Sequence, residues 1–514
     1  MPYEAVIGME VHAQVITKSK MFCPCSADYA SAPPNTHVCP VCLALPGVLP
    51  VINQAAVEAT VRTGLALNCR IPEYSKFDRK NYPYPDLPKG YQISQYDMPL
   101  CVDGALEIEV TTAPSTRTRE EGGGEGGILR RRIGIRRVHL EEDTAKLIHD
   151  GGSSLIDYNR AGVPLMEIVT EADMRSADEA WAYLLKLRAI LRYLGVNSGN
   201  MEEGAMRCEA NVSVRPVGAS EFGTKVEVKN LNSFRAVRQA IAYEVERQSR
   251  LLDEGQRVHQ VTMGWDEDRQ QTVFQRSKEG AEDYRYFPEP DLPPLQLSEA
   301  WVETLRASLP ELPDAKRERF IAQFGLRPED AAVLTEDRAV AEYFEATVGA
   351  DAGSAVGRHG GRPVQGDGGV GIEPQTVANW ITGEVFRLLR DENATIDAFR
   401  VPPEGFAGLL GMVAKGTINA TVAKEVLAEM HATGQTAEEI VARRGLTQIS
   451  DEDALLAIVR QALDANPKPV QQFLEGKEQV LGFLVGQVMR ATRGQANPQV
   501  ANRLLREELD RLKQ

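Results

Sequence analysis

The sequence predicts an α+β protein of three domains, a strand-rich N-terminal part followed by two helical ones. Three observations predict it. Residues 1 to about 295 carry short β-branched runs (AVIGMEVHAQVI, LEIEVTT, ANVSVRP, KVEVK) separated by Pro, Gly and Asn clusters. The segment FPEPDLPPLQLS, with four prolines between Pro288 and Pro294, excludes regular structure, and the composition turns helical beyond it. A chain of 514 residues holds about three domains at roughly 100–200 residues each. Within the first part, apolar residues at three- and four-residue spacing predict helices over Asn53–Leu67, Ser176–Leu194 and Ser233–Leu252. A second break at VPPEG divides the helical remainder, so the expected domains are 1–295, 296–402 and 403–514. Gly-rich stretches without periodicity, EGGGEGG (121–127) and 349–369, read as mobile loops.

No run of 18 apolar residues occurs, and MPYEAVIGMEVH lacks the basic start and apolar stretch of a signal peptide, so a cytoplasmic protein is expected. The formal net charge of −15 argues against a simple basic nucleic-acid binder, and no DNA partner is expected. Charge is uneven, however. Residues 402–514 hold 13 basic and 14 acidic side chains, leaving the deficit upstream. Seven cysteines are too few for a disulfide framework in a chain of this length. Four of them, Cys23 and Cys25 followed after thirteen residues by Cys39 and Cys42, offer two close thiol pairs suited to a closed, architectural zinc site. Cys69, Cys101 and Cys208 read as core residues.

Alternate side chains of a strand share a face. Glu10 and His12 therefore oppose Met9 and Val11. Glu209, Asn211 and Ser213 oppose Ala210, Val212 and Val214, and Lys225, Glu227 and Lys229 oppose Val226 and Val228. Glu167 stands between Met166 and Ile168, and VHLEEDTAK offers His139, Glu141, Glu142 and Asp143. For any one strand, a solvated, salt-bridged face is the ordinary outcome. Five such segments in one domain point instead to a shared concavity whose carboxylates hold Mg²⁺ and, through it, nucleotide phosphates. Weaker features are the basic run RRRIGIRR, and RSKEGAEDYRYFPEPDLPP, where Arg276, Lys278 and Arg285 neighbour Asp283, Glu289 and Asp291 and suit phosphates or a salt-bridged linker alike. In the tail, Gly482 and Gly486 sit four apart and permit close helix packing. Arg490, Arg493, Arg503 and Arg506 make the best local site for a phosphate backbone, beside the plain reading of a helical bundle.

Read in order, GMEVHAQ, PNTHVCPVCLALPGVLPVIN, FDRKNYPYPDLPKGYQISQ, VHLEEDTAK, DYNRAGVPLMEIV, MEEGAMRCEANVSV, KVEVKNLNSF and DYRYFPEPDLPP resemble the B-subunit family of bacterial-type aspartyl/glutamyl-tRNA amidotransferases. KGTINATVAKEVLAEM and GFLVGQVMRATRGQANP extend the likeness to the tail. The resemblance implies an antiparallel-sheet cradle similar to the glutamine synthetase/guanidino kinase fold, with helical modules that grip tRNA. It implies an ATP-dependent carbon–nitrogen ligase that phosphorylates the side-chain carboxylate of Glu-tRNA(Gln) or Asp-tRNA(Asn) and amidates it. The ammonia would come from glutamine hydrolysed in an amidase A subunit, within a heterotrimer braced by a small C subunit. By motif, Glu10, His12, Glu142, Glu167, Glu209 and Glu227 form the implied catalytic, Mg²⁺-facing set, with Glu141 and Asp143 as further members. Lys225, Lys229, Arg276 and Lys278 are the candidates for ATP phosphates, and Asn159 and Arg160 for the aminoacyl end.

Two other readings compete. A glutamine synthetase-like ligase of free amino acids would not need a helical C-terminal half of this length, and a zinc-stabilised RNA-binding scaffold would not need Glu10 and His12.

Overall fold

The computed structural model describes residues 2–111, 127–277, 284–351, 371–446, 452–492, 496 and 498–513. The chain divides into two compact units, 1–312 and 313–514. The first is mixed α+β around a large sheet and the second is helical.

The sheet has eight strands: β1 (Tyr3–Gln14), β2 (Cys101–Thr111), β3 (Ile128–Glu142), β4 (Pro164–Thr170), β5 (Met206–Pro216), β6 (Val226–Leu231), β7 (Val261–Asp266) and β8 (Gln271–Ser277). Their spatial order is β8-β7-β6-β5-β1-β4-β3-β2. One pairing departs from the expected antiparallel sheet: β6 and β7 run parallel. The cause lies between them. Helix α3 (Phe234–Asp253) carries the chain back along the sheet, the crossover a parallel pair requires.

Helix α1 (Gln54–Ala66) and helix α2 (Ala177–Tyr193) join α3 in covering the sheet, with α1 on β2 and β3, α2 on β2, and α3 on β5, β6 and β8. Each starts where its side-chain chemistry dictates. Asn53, Ser176 and Ser233 have extended backbone and accept hydrogen bonds from the amides of Ala56, Glu179 and Ala236, satisfying donors that a helix start leaves orphaned. The core is the alternation made physical: Ala5, Ile7, Met9, Val11 and Ala13 of β1 are buried with Val138, Leu140, Met166, Ile168, Ala210, Val212 and Val228 under these helices. Cys69, Cys101 and Cys208 are buried there as expected. Gly64 lets α1 approach β2 closely, since a Cβ there would stand 2.3 Å from the Cys101 Sγ.

A small sheet of Asp78–Asn81 with Tyr91–Ser94 and Phe287–Pro288 packs against β3. RRRIGIRR lies within β3, and three of its five arginines pair with acids: Arg130 with Glu109 at 3.1 Å, Arg131 with Glu179 at 3.5 Å and Arg136 with Glu171 at 3.1 Å. The segments 121–126 and 352–370 lie outside the described residues.

The second unit has two apolar clusters, one running from Phe320 to Val441 and one from Leu455 to Leu509. Buried His431 is structural. It accepts from the Arg400 amide at 3.2 Å and packs on Phe399. Among the described residues Gly482 and Gly486 do not mediate close packing; none lies within 4 Å of a Cβ at either. Their helix buries Leu481, Leu484 and Val488, the i, i+3, i+7 stripe, and the glycines fall outside it.

Candidate functional site

On the face away from α1–α3, strand register gathers carboxylates and histidines into two groups. In the first, Glu167 of β4 stands between His12 of β1 and His139 of β3, its direct cross-strand partners. His139 Nε2 is 2.9 Å from Glu167 and 3.5 Å from Glu141, while His12 Nε2 is 3.8 Å from each acid. His139 and Glu141 are buried, and Ser94 Oγ donates to Glu141 at 2.9 Å. Burial opposes a charge on His139, yet Glu167 and Glu141 hold its pKa up at about 9. Burial would likewise raise Glu167, but His139 and His12 keep it well below the usual carboxylate range. Ligand atoms of His12, Glu141 and Glu167 lie within 4.8 Å of one another.

In the second group Glu10 faces Glu209 across β1 and β5, with buried Glu227 beside them on β6; ligand atoms of the three again lie within 4.8 Å. Asn211 donates to Glu10 at 2.8 Å and Thr262 to Glu227 at 2.7 Å. Lys229 Nζ supplies positive charge, 2.9 Å from Glu209 and 3.9 Å from Glu227. Burial, with Glu167 and Glu209 close by, pushes the Glu10 carboxyl above its ordinary pKa. Like charges directly opposite on a sheet repel, so such a group favours a bound cation. Ligands about 2.1 Å from an octahedral Mg²⁺ stand about 3–4.2 Å apart, so both groups fit one with small adjustment.

The remaining sequence candidates go elsewhere, or to the rim. Glu142 belongs to neither group. It accepts from the Ile93 amide at 3.0 Å and pairs with Lys89 at 2.7 Å, because one step along a strand reverses the face and Glu141 takes the inward position beside His139. Lys225 lines a cleft of about 370 Å³ with Glu10, Asn211, Arg136 and Arg175. Arg276 is exposed on the edge strand β8, and Lys278 and Asp283 lie outside the described residues. Glu289 and Asp291 are held by Arg79 at 2.7 and 3.4 Å. Arg160 donates to the carbonyls of Thr144 and Ala145 at 2.9 Å each. Asn159 is fully buried, accepting from the His37 amide at 2.7 Å and donating to the Pro33 carbonyl at 2.8 Å, an anchor for the cysteine loop.

Asp143 is a buried hub. It accepts from Gln14 at 2.8 Å and Arg207 at 2.5 Å, with Arg160 at 3.8 Å. Burial alone would raise its pKa, but Arg207 and Arg160 hold it below the ordinary value. Asp143→Asn should cost about 2 kcal/mol of stability at pH 7, since it removes the buried carboxylate from charge-assisted bonds to a partly exposed arginine. A depressed carboxylate contributes stability above its unfolded pKa of about 3.9 and loses it as pH falls through the folded value. Chemical denaturation should therefore show the two chains converging below about pH 3.9, and equal stability at pH 7 would refute this role.

The four loop cysteines come together with their sulfurs within 4.8 Å, Cys39 and Cys42 at 3.9 Å. Tetrahedral zinc with bonds of about 2.3 Å sets its sulfurs about 3.8 Å apart, so the set fits. Hydrogen bonding from Cys23, against the effect of burial, draws the Cys42 thiol below its ordinary pKa, helped by Cys39 and Lys20, while burial pushes Cys25 up. Lys20 is fully buried and donates to the carbonyls of His37 at 2.8 Å and Tyr158 at 3.3 Å.

The sequence marks His139 only as one member of VHLEEDTAK, and it does not mark Arg79, Arg207 or Lys20 at all. Strand parity with Glu141 is the available signal for His139. The three cations have none, since their partners are 17 to 210 positions away.

Residues 5–303 match the family model of the GatB/GatE catalytic domain, and residues 369–509 that of the GatB domain. The chain is 55% identical over 513 residues to the B subunit of the aspartyl/glutamyl-tRNA(Asn/Gln) amidotransferase of Thermomicrobium roseum, covering 99% of both chains. It is 53% identical to the protein of that name from Dehalococcoides mccartyi over 515 residues, again 99% of both. For the one from Moorella thermoacetica the figure is 53% over 513 residues, 99% of this chain and 100% of the other.

Proposed function

The chain belongs to the family of B subunits of aspartyl/glutamyl-tRNA(Asn/Gln) amidotransferases, and from that premise we propose how its residues carry out the chemistry. Its function is that of the B subunit in a glutamine-dependent, tRNA-dependent amidotransferase, a carbon–nitrogen ligase of translation. A side-chain carboxylate is a poor acceptor for ammonia because oxide would have to leave. In the proposed cycle the carboxylate of Glu-tRNA(Gln) or Asp-tRNA(Asn) attacks the γ-phosphorus of ATP, releasing ADP and forming an acyl phosphate. Ammonia then displaces phosphate to give the amide. The ammonia comes from glutamine hydrolysed on a partner A subunit, with a small C subunit completing the heterotrimer.

One observation carries this reading: six potential metal ligands, drawn from strands far apart in sequence, converge on one sheet face as two groups. His12, Glu141 and Glu167, and Glu10, Glu209 and Glu227, would hold Mg²⁺, which when bound offsets phosphate charge. Lys229 already balances part of the acidic charge, and Lys225, at the cleft beside Glu10, stands where phosphate would enter. Arg276 and Lys278 remain proposed phosphate contacts, and Cys23, Cys25, Cys39 and Cys42 a proposed structural zinc site. The sheet with helices on one face is consistent with a cradle similar to the glutamine synthetase/guanidino kinase fold. The helical tail, with Arg490, Arg503 and Arg506 and with Arg493, which lies outside the described residues, is proposed to meet the tRNA backbone through salt-sensitive contacts.

The complex of this chain with its A and C partners, given Mg²⁺, glutamine and γ-labelled ATP, should phosphorylate and then amidate at least one of Glu-tRNA(Gln) and Asp-tRNA(Asn). Conversion of neither would sink the reading, and running both decides the substrate.

A further inference from the structure

We propose that Tyr96, backed by Tyr286, is a stacking platform for an adenine base whose attached group reaches the acidic sheet face. The inference deepens the nucleotide- and tRNA-dependent reading above and rests on it for the identity of the ligand.

Four tyrosines form a ladder beside the first acidic group. Tyr96 and Tyr286 stack at 4.2 Å with an interplanar angle of 10°. Tyr286 then meets Tyr284 edge-on at 6.1 Å, and Tyr284 meets Tyr82 at 5.8 Å. Lys80 lies over the Tyr284 and Tyr82 rings at 5.0 and 5.7 Å. Tyr96 remains 53% exposed although Tyr286 covers one of its faces, and among the described residues no ring or cation is stacked on the other. A tyrosine kept for packing would be buried on both sides; one stacked behind and open in front presents a flat, sequence-tolerant surface to a base.

Its position supplies the ligand. Ser94, which donates to Glu141 at 2.9 Å, is at most about 7 Å of chain from Tyr96. The Tyr286 hydroxyl is raised by burial and by Glu141 and Glu167, which places it within their field. Arg137 reaches the Tyr96 carbonyl at 3.4 Å, so cations flank the platform as well. Two adenines carry a reacting group beyond their ribose: that of ATP, through its triphosphate, and that of the terminal adenosine of an aminoacylated tRNA, through its ester-linked amino acid. Either would set its base on Tyr96 while its anionic end faces the carboxylates and their cations.

Tyr96 is anchored through its main chain, the amide donating to Asp78 at 3.0 Å, so truncating the ring should leave the fold intact, as a thermal melt checks. In the complete complex, Tyr96→Ala should raise either the Kd for a non-hydrolysable ATP analogue or the KM for misacylated tRNA by about 5- to 150-fold, with kcat little changed. Tyr96→Phe should restore wild-type binding. The ATP arm moving assigns the base to ATP, and the tRNA arm moving assigns it to the terminal adenosine. Neither arm moving, or Tyr96→Phe losing as much as Tyr96→Ala, overturns the proposal. A wild-type complex that amidates neither tRNA refutes the functional reading instead, while the analogue titration and direct binding of a tRNA mimic ending in adenosine or cytidine still decide the platform.

Discussion

Replacing Glu10 with Gln should leave the chain folded and assembled with its partners while lowering ATP-dependent amidation by at least about 100-fold. The substitution keeps the shape and the acceptor oxygen that receives the Asn211 hydrogen bond at 2.8 Å. What it removes is negative charge at the meeting point of Glu209, Glu227 and Glu167, where phosphate-bound metal is proposed to sit. Stability should move in the opposite direction. The folded pKa of Glu10 is raised, so its charged form is held less well in the native state than in the unfolded one. The penalty is absent below the unfolded pKa and develops as pH rises through the folded value. Without added Mg²⁺ at neutral pH, Glu10→Gln should therefore melt at or above the wild-type temperature. A variant that keeps its activity would remove the carboxylate from the mechanism, and one that loses activity together with its fold would show a structural role only.

Loss of the cysteine site should undo the loop that carries it. Wild-type chain is expected to hold one zinc, and Cys39→Ser with Cys42→Ser to hold none. Structural zinc binding contributes on the order of 10 kcal/mol in small metal-organised folds, and residues 18–53 contain few backbone pairs to replace it. Proteolysis and amide exchange should then accelerate within that loop. The effect should also reach the site, because Gln14 donates to Tyr29 of the loop at 2.9 Å and to Asp143 at 2.8 Å. Buried Lys20 fits a metal-bound state, since four thiolates on zinc carry negative charge that a buried ammonium offsets. A wild-type chain without zinc, or a metal-free variant with unchanged exchange in 18–53, would dismiss the site as architectural metal.

Much of the site is legible before folding because it is periodic. Strand alternation places Glu10 and His12 opposite Met9 and Val11, and the structure buries Met9 and Val11 in the core while the acid and the histidine face away. The helix starts at 53, 176 and 233 are equally local, each set by one side chain that accepts an amide within three residues. The spacing of the four cysteines is a loop-scale pattern of the same kind.

The pairings are not local. Glu10 meets Glu209, Glu167 lies between two histidines, and Arg79 rather than a metal takes Glu289. Choosing Glu141 over Glu142, and finding Lys229 inside the acid group instead of waiting for phosphate, needs the register and the small sheet packed against β3. Local backbone geometry and residue chemistry determine which face a side chain takes, so the amino-acid order alone carries the faces, the caps and the candidate ligands. Which faces become neighbours depends on strand order and register between segments up to about 200 residues apart, which are selected by burial of the whole core and are known only from the tertiary structure.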